Sequence, residues 1–175
     1  CAMSIFKTEI TTDSIPSDNP IHQRLLKPYT LVKEQIGGNV LELGCGEGRG
    51  IQMILPNVDS FLGLDKIEEV IRNLTEKYPD GQFMQSVFPP IYILESDVFD
   101  FVISFQGIEH VRKDRLFLEE IYRILKPGGL AIITTPNIRM SLSRNPWHIR
   151  EYTARELTDL SASIFDKVIS KGISG

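Results

Sequence analysis

Two rhythms of apolar residues alternate along this chain. Short, nearly continuous apolar runs at 40–43, 60–65, 82–85, 99–105 and 130–135 read as strands, since such runs suit a sheet covered on both faces. Between them lie stretches whose apolar residues return every three or four positions, the spacing of a helix with one buried side. Residues 67–78 carry Ile67, Val70, Ile71 and Leu74 at that spacing, and 113–125 carry Leu116, Leu118, Ile121, Tyr122 and Leu125. Residues 21–36, with Leu25, Leu26, Leu31, Val32 and Ile36, form an earlier helical stretch, broken or kinked near Pro28. A short helix follows the glycines at 44–50 and ends near Pro56.

The breakers fall between these elements. Gly37-Gly38-Asn39 reads as a turn, Pro79-Asp80-Gly81 stops one helix, and Lys126-Pro127-Gly128-Gly129 stops another. Residues 5–20 are a polar, proline-punctuated lead-in, 86–96 a proline-broken connection, and 136–152 a long loop. Thr153 with Glu156 three places on is a capping box that opens a further helix, and 165–170 reads as a last strand. Strands alternating with helices predict an α/β fold, a mostly parallel sheet with helices on both faces. The expected organisation is a lead-in and helix over 1–39 and a single domain over 40–175.

Composition narrows the class. The 175 residues are 42% hydrophobic and 24% charged, ordinary for a globular domain with a sizeable core. A net charge of -4 disfavours general nucleic-acid binding, which calls for a basic footprint. No apolar run approaches the roughly 18 residues of a membrane span, and the start lacks a basic-then-apolar signal sequence. Two cysteines, Cys1 and Cys45, make a disulfide framework improbable, so cytoplasmic residence is the default expectation. Cys1-Ala2 ahead of Met3 reads as an appended remnant, with Met3 the native start.

The chemistry concentrates where the first strand ends, in Glu42-Leu43-Gly44-Cys45-Gly46-Glu47-Gly48. Glycines between a buried strand and a helix bring bare backbone close to a ligand. No Lys followed by Ser or Thr closes this loop, which argues against a phosphate-cradling P-loop. The dinucleotide spacing G-x-G-x-x-G also fails: its third glycine would fall on Arg49 or on Ile51. Glu42 would repel a pyrophosphate and attract an ammonium or sulfonium. Asp65 ends the second strand, where its two oxygens suit vicinal ribose hydroxyls or, more simply, the start of the next helix. The remaining polar candidates also follow strands: Gln85 and Ser86 the third, Gln106 and Glu109 the fourth, and Thr135 and Asn137 the fifth.

E-x-G-x-G-x-G after a strand resembles the first motif of the class I S-adenosylmethionine-dependent methyltransferases, in their small-molecule, type 11-like branch. Residues 99–104 with Ile108-Glu109-His110-Val111, then Lys126-Pro127-Gly128-Gly129, then residues 146–152 resemble later motifs of that branch in the same order. The resemblance spans roughly residues 40–170. It implies a Rossmann-like three-layer sandwich, with S-adenosylmethionine as cofactor, S-adenosylhomocysteine as product, and a small-molecule or glycan-type acceptor. The cofactor residues it implies are Glu42, Gly44, Cys45, Gly46, Gly48, Asp65, Lys66, Ile67, Gln85, Ser86, Val87 and Phe105. Arg24 and Tyr29 are placed near the cofactor's carboxylate end. The chain departs from the family after the third strand, where Gln85 and Ser86 stand in place of a common Asp. The family has seven strands and this chain stops after about six, so the C-terminal strand is expected to lie outside it.

His148 is the single candidate general base for an oxygen nucleophile, with a structural loop histidine as the plainer reading. Trp147 and Tyr152 either shape an acceptor pocket or anchor the loop. Some family members bind a divalent ion through E-x-x-E-H. Here Gln106 takes the first position, and no metal is expected. Two alternatives remain at this stage: a non-catalytic subunit that keeps the fold, and a nicotinamide-dependent oxidoreductase disfavoured by the glycine spacing.

Overall fold

The computed structural model of this chain describes residues 20–141 and 145–173, and side chains from residue 25 onward. The lead-in before residue 20 and Arg24's side chain therefore lie outside the described residues. Helix α1 (Pro20–Val32) comes first, then strand β1 (Asn39–Leu43), helix α2 (Ile51–Ile54), strand β2 (Ser60–Asp65), helix α3 (Glu68–Lys77) and strand β3 (Gln82–Gln85). Strand β4 (Phe99–Phe105), helix α4 (Asp114–Ile124), strand β5 (Leu125–Thr134) and helix α5 (Ala154–Ala162) follow, with short 3-10 turns at Leu55–Asn57, Ile108–His110 and Ile138–Met140.

The five strands form one sheet in the order β3-β2-β1-β4-β5, with every pairing parallel. Strand order reverses between β1 and β4. A crevice opens outside the carboxyl ends at such a reversal, and there a parallel sheet takes its ligands.

Alternation along the strands sorts side chains between two cores. Leu41, Leu43, Leu62, Leu64 and Val102 face Phe117, Leu118, Ile121 and Ile124 of α4, with Leu157 and Leu160 of α5 packed at the edge. Val40, Phe61, Ile103 and Phe105 face Tyr29 and Val32 of α1, Ile51 and Ile54 of α2, and Val70 and Leu74 of α3. Helices thus cover both faces of the sheet, the three-layer arrangement expected.

Several expectations are corrected. Pro28 lies inside α1, which runs through it. Lys126-Pro127-Gly128-Gly129 does not separate helix from strand: β5 begins at Leu125, one residue after α4, and these residues form an irregularity between the pairs Phe99↔Leu125 and Phe101↔Leu130. Gly128 supplies the positive φ of 82° needed there. Residues 165–170 form no strand among the described residues, because α5 closes in a turn and the chain continues without ladder pairing. Their apolar residues serve packing instead: Phe165 stands edge-on to Tyr122, with ring centroids 5.7 Å apart.

The proline-broken connection of 86–96 has no regular structure, so side chains must satisfy its backbone. Glu120 Oε2 accepts from the Ile91 amide at 2.7 Å, while Arg123 donates to the carbonyls of Ile91 and Leu94 at 3.0 and 2.9 Å. Arg123 also pairs with Glu120, which holds the Glu120 carboxyl below its ordinary range.

Candidate cofactor site and the loop beside it

Glu42 lies on the central strand and is 1% exposed. Its place in the alternation turns it toward the α1 face, where the Tyr29 hydroxyl donates to Oε1 at 2.5 Å. Among the described residues Oε2 is buried without a hydrogen-bond partner. Burial pushes the Glu42 carboxyl up to about 8, against the opposing effect of the Tyr29 hydrogen bond and with help from Asp65. An uncompensated buried carboxylate is costly, so Glu42 favours its protonated form, and a cation placed beside it would draw the proton off.

The loop after β1 is held from below. The Gly44 and Cys45 amides donate to the Leu64 carbonyl at 2.8 and 3.2 Å. Asp65 Oδ2 accepts from the Gly46 amide and Oδ1 from the Ile67 amide, each at 3.0 Å. A side chain at Gly44 or Gly46, both at positive φ, would meet nothing within 4 Å. These two glycines leave open space close in sequence to Glu42, whose Oε2 lacks a partner, an arrangement that fits the ammonium group of S-adenosylmethionine. Gly48 differs, because a side chain there would strike Leu74 and Ile51, and its absence serves packing.

The other expected contacts divide. Cys45 is buried among apolar residues of the α1 face, with its thiol pushed up mainly by burial, so it offers backbone at most. Phe105 packs edge-on against Tyr29, with centroids 4.7 Å apart. Ile67 packs against the core at the start of α3. Gln85 folds back to donate to the Lys66 carbonyl at 3.0 Å, and the Ser86 amide donates to the Asp65 carbonyl at 2.8 Å. Val87 is 76% exposed beyond them. The hydroxyl of Tyr29, expected near the cofactor's carboxylate end, donates to Glu42.

Residues after β5 form a loop pinned at its own neck. Asn137 and Tyr152 form a parallel bridge, and the Ile138 amide donates to the Tyr152 carbonyl at 3.0 Å. The Tyr152 hydroxyl donates to Asp114 Oδ2 at 3.0 Å, and Arg150 pairs with the same oxygen at 2.7 Å while lying over the Tyr152 ring. Tyr152 is thus the anchor of the loop, and Trp147 is half exposed.

His148 stands on this loop with Nδ1 2.7 Å from Glu151 Oε1 and Nε2 3.2 Å from the Asn145 amide nitrogen. An ionised Glu151 accepts from Nδ1–H, which leaves the lone pair on Nε2. Glu109 and His110 lie alongside. Thr135 donates to Glu109 Oε2 at 2.9 Å, and His110 Nδ1 is 3.0 Å from the Trp147 carbonyl. Glu109, His110 and His148 each bring one donor atom to within 4.8 Å of the others.

Tyr29 and Glu151 escaped the sequence reading in these roles. Tyr29 falls on the same helical stripe as Leu25, Val32 and Ile36, so its burial was legible, but its partner required the fold. Glu151 lies three residues after His148, a spacing that alone carries no signal in a loop.

A parallel sheet with an acidic residue and a glycine loop at its switch point defines a Rossmann-like cofactor-binding domain. Residues 41–133 match the family described as a methyltransferase domain, and the chain belongs to that family. It is 37% identical over 129 residues to a probable S-adenosylmethionine-dependent methyltransferase of Mycolicibacterium smegmatis, covering 71% of this chain and 50% of that protein. It is 30% identical over 140 residues to the mitochondrial ubiquinone biosynthesis O-methyltransferase of Dictyostelium discoideum, covering 69% of this chain and 39% of that protein. The chain thus spans about half the length, or less, of these curated relatives. Its fold is similar to that of a SAM-dependent methyltransferase from Aquifex aeolicus, with a TM-score of 0.67, 20% identity, and coverage of 84% and 83% of the two chains.

Proposed function

We propose that this domain binds S-adenosylmethionine and methylates an oxygen of a small-molecule or glycan-type acceptor. The observation that carries the reading is the buried Glu42 oxygen lacking a partner beside open space at Gly44 and Gly46, within a matched methyltransferase domain. An oxygen acceptor is supported by the relatives whose names describe O-methyltransferases.

S-Adenosylmethionine, when bound, supplies a methyl group activated on a sulfonium and leaves as S-adenosylhomocysteine. This chain's residues hold and orient. Glu42 takes the ammonium charge, Gly44 and Gly46 admit the backbone's close approach, and Asp65 accepts from the ribose hydroxyls with lone pairs left over from Gly46 and Ile67. Gln85 and Ser86 border the adenine. With the cofactor bound, these residues would hold its methyl group in line for the acceptor oxygen, with the carbon–sulfur electron pair retained by the departing S-adenosylhomocysteine. The acceptor's proton passes to His148 Nε2, which Glu151 keeps in the right tautomer, once the acceptor displaces the Asn145 amide. Positioning supplies most of the rate.

Calorimetric titration with S-adenosylhomocysteine tests the cofactor reading. Micromolar binding is expected, weakened at least about tenfold in Asp65→Asn through loss of a charged acceptor. A folded protein that does not bind overturns it. His148→Gln should lower methyl transfer to a panel of phenols and sugars, read as S-adenosylhomocysteine release, by roughly 100-fold or more, with cofactor affinity unchanged.

The three-donor cluster at Glu109, His110 and His148 favours a second reading, in which a divalent ion polarises the acceptor oxygen. We propose transfer without a required metal. Activity should then survive exhaustive chelation, whereas loss on chelation and recovery with a divalent ion would establish the second reading.

A further inference from the structure

We propose that Tyr29 of α1 is a positioning residue for the cofactor's ammonium group, occupying Glu42 Oε1 so that Oε2 is left as its acceptor. The inference rests on the reading that the domain binds S-adenosylmethionine. Three observations on different elements carry it. The Tyr29 hydroxyl donates to Oε1 at 2.5 Å, while Oε2 is buried and without a partner among the described residues. The Tyr29 ring is fixed independently of that bond, since it stands edge-on to Phe105 and lies where any side chain at Gly50 would fall. Gly44, two residues after Glu42, has open space on its side-chain side. The hydroxyl is therefore held in place by packing and selects which carboxylate oxygen remains available.

The arrangement couples α1 to the cofactor's charge. The groups that act electrostatically on the pair are Asp65 at the end of β2 and Cys45 and Arg49 in the loop after β1. Asp65 opposes ionisation of Glu42, while the Tyr29 hydrogen bond favours it. Removing the hydroxyl thus makes Glu42 harder to ionise and leaves both of its oxygens without a fixed orientation.

The test compares two ligands that share adenosine and thioether but differ at one end. S-Adenosylhomocysteine carries the ammonium, whereas 5′-methylthioadenosine lacks the amino-acid portion. Both are titrated into the wild-type chain, Tyr29→Phe and Glu42→Gln between pH 6 and 9. Phe keeps the ring against Gly50 and Phe105, and thermal melting of each variant checks that it folds. The expected result is about tenfold weaker S-adenosylhomocysteine binding by Tyr29→Phe, the scale of one hydrogen bond to a charged group. The rise of affinity with pH should move to higher pH in that variant and vanish in Glu42→Gln. Binding of 5′-methylthioadenosine should be unchanged in all three. Equal weakening of both ligands, or no weakening of either, would overturn the role of Tyr29. Failure of the wild-type chain to bind either ligand would instead overturn the cofactor reading.

Discussion

Two glycines four positions apart, Gly46 and Gly50, do opposite jobs at the mouth of this sheet. Gly46 has open space where a side chain would stand, whereas at Gly50 that space holds the Tyr29 ring. Gly46→Ala should therefore cost only about 1–2 kcal/mol from its positive φ, yet abolish measurable S-adenosylhomocysteine binding. Gly50→Ala should destabilise by roughly 1–3 kcal/mol or more through overpacking, and lower affinity by displacing Tyr29. Chemical denaturation alongside calorimetry separates the two, and equal effects on both readouts would contradict the assignment. Both glycines stand out in the sequence. What each is for depends on a helix twenty residues upstream, which no local pattern reveals.

At the scale of elements, local signals served best where the chain obeys local rules. β2, β3 and β4 fall where their apolar runs place them, and Thr153 with Glu156 forms the reciprocal cap that their spacing announces. The failures share a cause: tertiary contacts override local propensity. Pro28 is tolerated inside α1, and an apolar run at 165–170 packs as a tail without strand partners. The connection at 86–96 shows the same dependence, because Glu120 and Arg123 of α4 bind its backbone. Arg123→Ala should lower stability by about 1–3 kcal/mol, since it frees two part-buried carbonyls and strands Glu120. Faster amide exchange at 86–96 should accompany the loss, and a melting temperature within error of wild type would refute this account.

For the whole molecule, one buried carboxyl links stability to pH and to ligand. In the folded, ligand-free protein Glu42 titrates near 8, against an ordinary value of 4.5. The folded state keeps a proton that the unfolded chain has released, so this contribution is full below pH about 4.5 and is lost as pH rises through about 8. Stability of the ligand-free chain should accordingly fall across that window by up to ~1.4 kcal/mol per pH unit. Glu42→Gln should flatten the slope and raise stability at pH 8, as urea denaturation at several pH values would show. Saturating S-adenosylhomocysteine should oppose the fall, because a bound ammonium offsets the buried charge. An unchanged slope in Glu42→Gln would assign the pH dependence to other groups. The carboxylate and its glycines were visible in the sequence, but the proton was not. It depends on the depth of β1 between β2 and β4 and on the neighbouring Asp65 and Tyr29.

The loop between Asn137 and Tyr152 is tied down beyond its neck: the Ile149 and Arg150 amides donate to the Glu109 carbonyl at 2.8 and 3.2 Å, and Arg150 pairs with Asp114. A segment stitched to its surroundings at several points keeps its course only while each stitch keeps its partner. His148 and Trp147 ride on that segment, while Glu42, Gly46 and Asp65 ride on the frame. On the proposed reading, acceptor contacts and cofactor contacts therefore lie on separate stretches of the chain. Exchanging that segment between relatives together with its partners at Glu109 and Asp114 should, on the proposed reading, change the acceptor while S-adenosylhomocysteine binding is kept.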